Sequence, residues 1–288
     1  MNSIFRPYRS VLYMPSSNER ALEKAKTLPV DALILDLEDA VAPDAKPVAR
    51  DNACAAVASG EYGHRAVTVR VNSLGTQWHT DDLAAVCAAG PDAVVVPKVG
   101  SAQEVRDLVA AMERHGAPDH TRLWAMVETP GAVLAAAEIA HASPRLSAFV
   151  IGTNDLVKEL RARFVPGRAP IIPALAQLLL AGRDAGLVVL DGVFNDVKDA
   201  DGFADECRQG RDLGFDGKTL IHPGQVEACN AAFAPSAAEV EDAQGVIDAW
   251  HAGAGSGVVT YKGRMIENLH VEVAERVLAL DQAIRAQE

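Results

Sequence analysis

The stretch DALILDLED (31–39) places four consecutive apolar side chains, Ala32 to Leu35, ahead of three carboxylates, Asp36, Glu38 and Asp39. An uninterrupted apolar run of this length reads as a parallel strand covered on both faces. Its end is the puzzle, because like charges repel at close range and a buried, unpaired carboxylate is costly. A solvated strand end, a salt-bridge network or a metal-linked active site would each resolve the conflict. The period-two geometry of a strand sends Asp36 and Glu38 to one side, with Asp39 on the turn beyond.

The same pattern recurs along the chain. SVLYMP (10–15), AVTVRVN (66–72), DAVVVPK (92–98), RLWAMVET (122–129), SAFVIGT (147–153), LVVLDGV (187–193) and FDGKTLIH (215–222) complete a set of eight strand candidates. Alanine-rich amphipathic stretches lie between them, among them 19–28, 46–58, 102–115, 132–142 and 173–185. Eight alternations of strand and helix are closed most simply as a (β/α)8 TIM barrel, an α/β fold. An open doubly wound sheet is the alternative, but no Gly-rich dinucleotide fingerprint follows the first strand. The expected division is a barrel domain over 1–235 and a C-terminal helical extension over 236–288. The extension reads as a helix near 237–252, a flexible stretch HAGAGSG (251–257), a short hydrophobic turn and a final helix near 270–286. It would serve as a lid, an oligomer contact or a seal on the barrel base.

Composition narrows the class of partner. The 288 residues are 49% hydrophobic and carry a net charge of −12, which argues against wholesale binding to nucleic acid or an anionic membrane. Basic residues in FRPYRS (5–10) and NERALEKAK (18–26) leave an anionic cofactor open, the alternative being a solvated helix face. The four cysteines lack metal-ligand spacing and read as small core residues. MNSIFRPYRS has no long apolar segment and no stretch could span a bilayer, so a reduced, cytoplasmic protein is expected.

Catalytic groups of a barrel gather at the C-terminal ends of its strands. Those ends read Pro15, Asp36/Glu38/Asp39, Arg70/Asn72, Lys98, Glu128, Asn154/Asp155, Asp191 and His222. Glu128 in MVETPGA and Asp155 in VIGTNDL stand out, each following a buried strand where the chain turns into a helix. Two carboxylates without a histidine or cysteine partner suit a hard cation such as Mg2+. Helix capping, or pairing with Lys98 and Arg70, is the structural alternative. The forked guanidinium of Arg70 suits a protein carboxylate, a substrate carboxylate or a developing enolate oxygen. His222, ahead of a proline, reads first as a hydrogen-bonded structural residue.

Eight motifs in order, RSVLYMPSSNERALEKA, DALILDLEDAV, VRVN, PKV, ETPGAV, IGTNDL, GKTLIHPGQV and GRMIENLHVEVA, resemble the citrate lyase β-subunit-like family of the HpcH/HpaI aldolase superfamily, which includes malyl-CoA and citramalyl-CoA lyases. The resemblance runs from about residue 6 to 285. It implies a TIM barrel with Mg2+, a CoA-thioester or acyl-carrier substrate, and a homotrimer or hexamer whose C-terminal segment reaches a neighbouring subunit's site. By motif, it implies Glu128 and Asp155 as metal ligands and Arg70 as the substrate-binding arginine. Asp36, Glu38 and Asp39 would orient Arg70 or bond metal-bound water, and Arg9, Arg20 and Lys24 would face the CoA phosphates; Lys98, read from its strand end alone, would pair with the acidic cluster as part of the same supporting shell. Glu267 in GRMIENL occupies a position where relatives often carry an aspartate, as acid–base group donated across the subunit boundary. The function expected first is Mg2+-dependent carbon–carbon cleavage of a carboxylated 3-hydroxyacyl-CoA to a 2-oxo acid and an acyl-CoA. The alternatives are a malyl-CoA-type thioesterase and a partner-dependent citrate lyase β-like subunit acting on an acyl-carrier thioester.

Overall fold

Eight parallel strands close on themselves in the computed structural model, which describes residues 6–253 and 257–287. In chain order they alternate with helices: β1 Ser10–Pro15, α1 Glu19–Ala25, β2 Ala32–Asp36, α2 Lys46–Ser59, β3 Ala66–Arg70, α3 His79–Ala89, β4 Ala93–Val96 and α4 Ala102–Arg114. There follow β5 Arg122–Val127, α5 Pro130–Leu134, α6 Ala136–Ala140, β6 Leu146–Ile151, α7 Thr153–Glu159, α8 Ile172–Asp184, β7 Val188–Asp191, α9 Ala200–Leu213, β8 Gly217–Leu220 and α10 Val226–Phe233. Each strand pairs with its sequence neighbours, and β8 returns to β1 through Ser10↔Lys218 and Leu12↔Leu220. The barrel is therefore closed, as expected, and the open sheet is excluded.

Alternation along the strands divides the core in two. Val11, Ala32, Ile34, Ala66, Ala93, Val95, Trp124, Met126, Ala148, Val150 and Leu190 form one buried cluster that fills the barrel. The indole of Trp124 is large, and the alanines of neighbouring strands make room for it at near-constant packing volume. Truncating it to alanine would cost about 3–5 kcal/mol. The intervening residues, Leu33 and Leu35 among them, are fully buried on the other face of the sheet.

Most strands stop earlier than their apolar patterns. β2 ends at Asp36 because its carboxylate accepts the backbone N–H groups of Glu38 and Ala40 at 2.9 and 3.0 Å, folding the chain into a turn. The helix expected over 132–142 is two short helices, α5 and α6, broken at Ala135. Thr129 caps the first of them, its hydroxyl accepting from the Ala132 N–H at 3.2 Å, and Pro130 supplies the first helical residue.

The described residues divide into two compact units, Tyr8–Ala232 and a second that comprises those from Phe233 onward with residues 6–7. The second unit holds α11 Ala237–Ala252, β9 Val259–Tyr261, β10 Arg264–Ile266 and α12 Asn268–Arg285. The stretch expected to be a hydrophobic turn is an antiparallel hairpin. Lys262 and Gly263, both at positive φ, close it as a two-residue loop, the geometry that matches strand twist. Ala243, Val246, Ile266, Val271 and Ala274 form its buried core. Gly245 is needed there, since a Cβ would lie 2.0 Å from the Tyr261 hydroxyl. Of the stretch expected to be flexible, residues 254–256 lie outside the described residues.

Candidate active site at the mouth of the barrel

Strand alternation carries three charged side chains into the mouth. Ala32 and Ile34 point inward on β2, so Asp36 does too; Ala66 sets Arg70 on β3, and Trp124 and Met126 set Glu128 just beyond β5. Asp36 and Arg70 are Cα partners in the β2–β3 register, and their side chains meet twice, Nε to Oδ1 at 2.6 Å and Nη2 to Oδ2 at 2.7 Å. Arg70 Nη1 also lies 3.0 Å from Glu38 Oε2 and 3.3 Å from Asp39 Oδ2. Its guanidinium stands over the Tyr13 ring at 4.8 Å from the centroid. Burial alone would depress the Arg70 pKa, but Asp36 ahead of the other groups holds it well above its ordinary value.

The acidic turn is tied down from below. Lys46, itself buried, donates to the carbonyls of Leu37 and Glu38 at 2.9 and 2.8 Å, and Asn72 donates to Leu37 at 3.0 Å. Asp82 accepts from both nitrogens of Asn72. The Ser73 hydroxyl donates to Glu38. Burial pushes the Glu38 carboxyl up, with Asp39 and Asp36 adding to it and Arg70 and Ser73 opposing.

Glu128 and Asp155 approach the mouth from different strands and share one neighbour. The backbone N–H of Lys98 donates to Glu128 Oε1 at 2.8 Å, and the Lys98 Nζ lies 3.8 Å from Asp155 Oδ1. Gly152 precedes α7, and a Cβ there would lie 2.1 Å from Glu128 Oε2, so the carboxylate rests directly on the glycine backbone. Burial first, then the charges of Asp155 and Glu38, push Glu128 up to about 7. Lys98 is pulled down by its partial burial, yet Asp155, Glu38, Glu128 and Asp39 together hold it above its ordinary value. Five carboxylates, Asp36, Glu38, Asp39, Glu128 and Asp155, thus face the two cations Arg70 and Lys98.

This charge excess and donor chemistry fit a hard divalent cation. Among the described residues no group of three or more His, Cys, Asp or Glu is arranged to hold a metal. Mg2+ needs only one or two carboxylates, with water and substrate oxygens filling the octahedron. Glu128, buried and repelled by Asp155, gains from such a charge.

Other candidates fall elsewhere. Arg9 precedes β1 at the opposite, N-terminal end of the barrel, where Asp31 takes its Nε and Nη2 at 2.9 and 2.7 Å and its backbone N–H at 2.7 Å. Arg9 was expected to face the CoA phosphates; strand direction places it at the other end from the carboxylates of the mouth, and Asp31 takes its charge there. Arg20 and Lys24 are exposed on α1, the helix that leaves the mouth end of β1. Asp191 points away from the barrel interior, because Leu190 points in. Its carboxylate lies between Arg168 Nη1, 2.7 Å away, and Lys218 Nζ, 3.0 Å away, with Glu206 of α9 alongside. That network lies beside a cavity of 630 Å3 lined by Val157, Phe164, Ile171, Phe194 and Arg168, none of them carboxylates of the mouth. The Nδ1 of His222 accepts from the Gly224 N–H at 3.0 Å, a turn cap. Glu267 belongs to the second unit, where its backbone N–H donates to His270 Nδ1 at 3.0 Å at the start of α12. Sequence reasoning overlooked Tyr13, Ser73 and Lys46. Only Tyr13 carried a signal, as the inward partner of Val11 on β1.

Comparison with known proteins agrees with this architecture. The sequence model described as HpcH/HpaI aldolase/citrate lyase matches residues 9–223. The (3S)-malyl-CoA thioesterase of Cereibacter sphaeroides (strain ATCC 17025 / ATH 2.4.3) is 49% identical over 282 residues, covering 97% of this chain and 96% of that protein. The citrate lyase subunit beta of Escherichia coli (strain K12) is 36% identical over 281 residues, covering 95% and 93%. A crystal structure of CitE from Mycobacterium tuberculosis in complex with magnesium, acetoacetate and coenzyme A superposes with a TM-score of 0.78 at 30% identity, covering 96% of this chain and 98% of that one. No helix among the described residues is long and apolar enough to cross a membrane.

Proposed function

This chain belongs to the HpcH/HpaI aldolase/citrate lyase family, and from that premise we propose that it is a magnesium-dependent enzyme that hydrolyses a malyl-CoA-type thioester, a carboxylated 3-hydroxyacyl-CoA. The observation that carries the reading is the Glu128–Asp155 carboxylate pair, joined through Lys98, in the same mouth as the anchored Arg70. The relatives named (3S)-malyl-CoA thioesterase support hydrolysis, and the magnesium and coenzyme A bound by the CitE relative support the cofactor and the class of substrate.

Glu128 and Asp155 would hold the magnesium, which when bound would supply Lewis-acid charge beside the substrate's oxygens. Arg70 presents an N–H of Nη2 that its contacts among the described residues do not use, stabilising negative charge as it develops on the thioester carbonyl oxygen. Asp36 holds the plane of that guanidinium, and Glu38 and Asp39 hold its outer nitrogen. Arg20 and Lys24 meet the phosphates of CoA. Glu267, donated by a neighbouring copy in a trimer or hexamer, is the proposed acid–base group: it takes the proton of the attacking water and returns it to the CoA sulfur as the C–S bond breaks, leaving the free acid and the free thiol. The barrel is the catalytic domain and the segment from 236 is the extension that makes this contact, in a cytoplasmic protein.

A second reading is the carbon–carbon lyase, favoured by the forked, fully charged Arg70, which suits the enolate of a departing acyl-CoA, and by the citrate lyase beta relative. Incubation of the purified chain with malyl-CoA and Mg2+ separates the two. Malate and one free thiol per turnover, abolished by chelator and restored by Mg2+, is the expected result. Glyoxylate with intact acetyl-CoA would replace hydrolysis by cleavage. Turnover only after adding an acyl-carrier protein would place the chain as a partner-dependent subunit.

A further inference from the structure

Lys98 has an unusual backbone for its residue type. It sits at φ 56, the left-handed region, which costs a non-glycine residue about 1 kcal/mol or more. A glycine would relieve that cost, so the side chain or its exact placement must return something. The left-handed turn aims the Lys98 N–H at Glu128 Oε1, 2.8 Å away, and any residue but proline would do the same. The ammonium is what only lysine or arginine adds here. It lies 3.8 Å from Asp155 Oδ1, and the side chain is 48% exposed, free to swing into solvent. Arg70 is committed to Asp36, and among the described ion pairs Asp155 has no cation other than Lys98.

We propose that the Lys98 ammonium is a resident counter-charge that neutralises Asp155 in the metal-free site and weakens, by competing for that carboxylate, the site's affinity for a divalent cation. The inference rests on the reading of Glu128 and Asp155 as the metal ligands. A cation bound between those carboxylates and an ammonium at ion-pair distance from one of them repel each other, so the lysine must leave as the metal arrives. The device keeps the acidic mouth from carrying its full repulsion when empty, and it makes the metal exchangeable rather than permanently held.

The test uses Mn2+ as the probe. Its binding to the metal-stripped full-length chain, without substrate, is followed by the loss of the free-ion EPR signal. K98M, which keeps the stem and drops the charge, should bind about three- to tenfold tighter than wild type, the gain shrinking as salt is raised. K98R, which keeps the charge, should stay within about twofold of wild type, and D155N should lose at least about tenfold in affinity. Equal or weaker binding by K98M overturns the proposal while leaving the metal site standing, and a raised KM with unchanged Mn2+ affinity would move Lys98 to the substrate instead. Wild-type affinity in D155N, or no binding by wild type, overturns the metal reading and this inference with it.

Discussion

Arg70 and Asp36 face each other across β2 and β3 as register partners, bonded at two points of 2.6 and 2.7 Å. A fork-to-fork pair fixes both the position and the plane of the guanidinium, which a single contact would not. The Tyr13 ring beneath the guanidinium and Glu38 and Asp39 at the outer nitrogen leave Arg70 one direction in which to act, toward the mouth.

R70K should therefore fail although it keeps the charge. Lysine offers a point charge on a flexible stem and cannot bond Asp36 bidentately. The expected loss in kcat/KM on malyl-CoA is about 100-fold or more. D36N should lower thermal stability as well, by about 3 kcal/mol, since it leaves a buried guanidinium short of its main partner. Near-normal kcat/KM in R70K would remove Arg70 from the chemistry.

E128Q keeps the shape and the Lys98 N–H contact of Glu128 while removing its charge. Activity should fall by about two to three orders of magnitude, with the residual rate requiring far more Mg2+. Isothermal titration with Mg2+ measures the affinity directly. An unchanged Mg2+ dependence would rule out Glu128 as a ligand.

G152A tests the close packing beneath the same carboxylate. The added Cβ would lie 2.1 Å from Glu128 Oε2 and 2.5 Å from its Cβ, so Glu128 must move. A shift of about 1 Å in a ligand is enough to cost roughly 100-fold in rate. Circular dichroism should show an intact barrel while activity and Mg2+ affinity fall together; an active G152A would show that Glu128 placement is not critical.

The network around Asp191 predicts the acid limit of stability. Burial would raise Asp191, but Lys218 and then Arg168 outweigh it and hold the carboxyl below its ordinary value of 3.8. A group depressed in the folded state stabilises above its unfolded pKa and loses that contribution as pH falls through the folded value. Urea unfolding should thus show stability declining as pH drops below about 4, and D191N should be destabilised at pH 7 by about 3–5 kcal/mol. D191N as stable as wild type at pH 7 would sink this account.

How much of this could be read from residues alone varies by element. The eight apolar runs and the alternation along them are local properties, so the closed barrel was legible, as was the inward direction of Asp36, Arg70 and Glu128. The mouth position of Asp155 followed from its place after β6. Strand direction was legible too, and Arg9 could have been excluded on that ground, as it precedes β1. Asp191 needed only the parity set by Leu190.

What alternation along one strand cannot specify is its alignment with the next. That Asp36 lies level with Arg70, that Lys98 joins Glu128 to Asp155, and that Lys46 and Asn72 tie the turn after β2 depend on inter-strand register and loop paths. These follow from closing eight twisted strands around Trp124 and the alanines that make room for it. The sequence by itself determined the inward direction of Asp36, Arg70 and Glu128, because side-chain direction along a strand is a period-two property of the backbone. Only the tertiary structure decided which of them meet, because every pair that matters is formed between segments brought together by closure of the barrel.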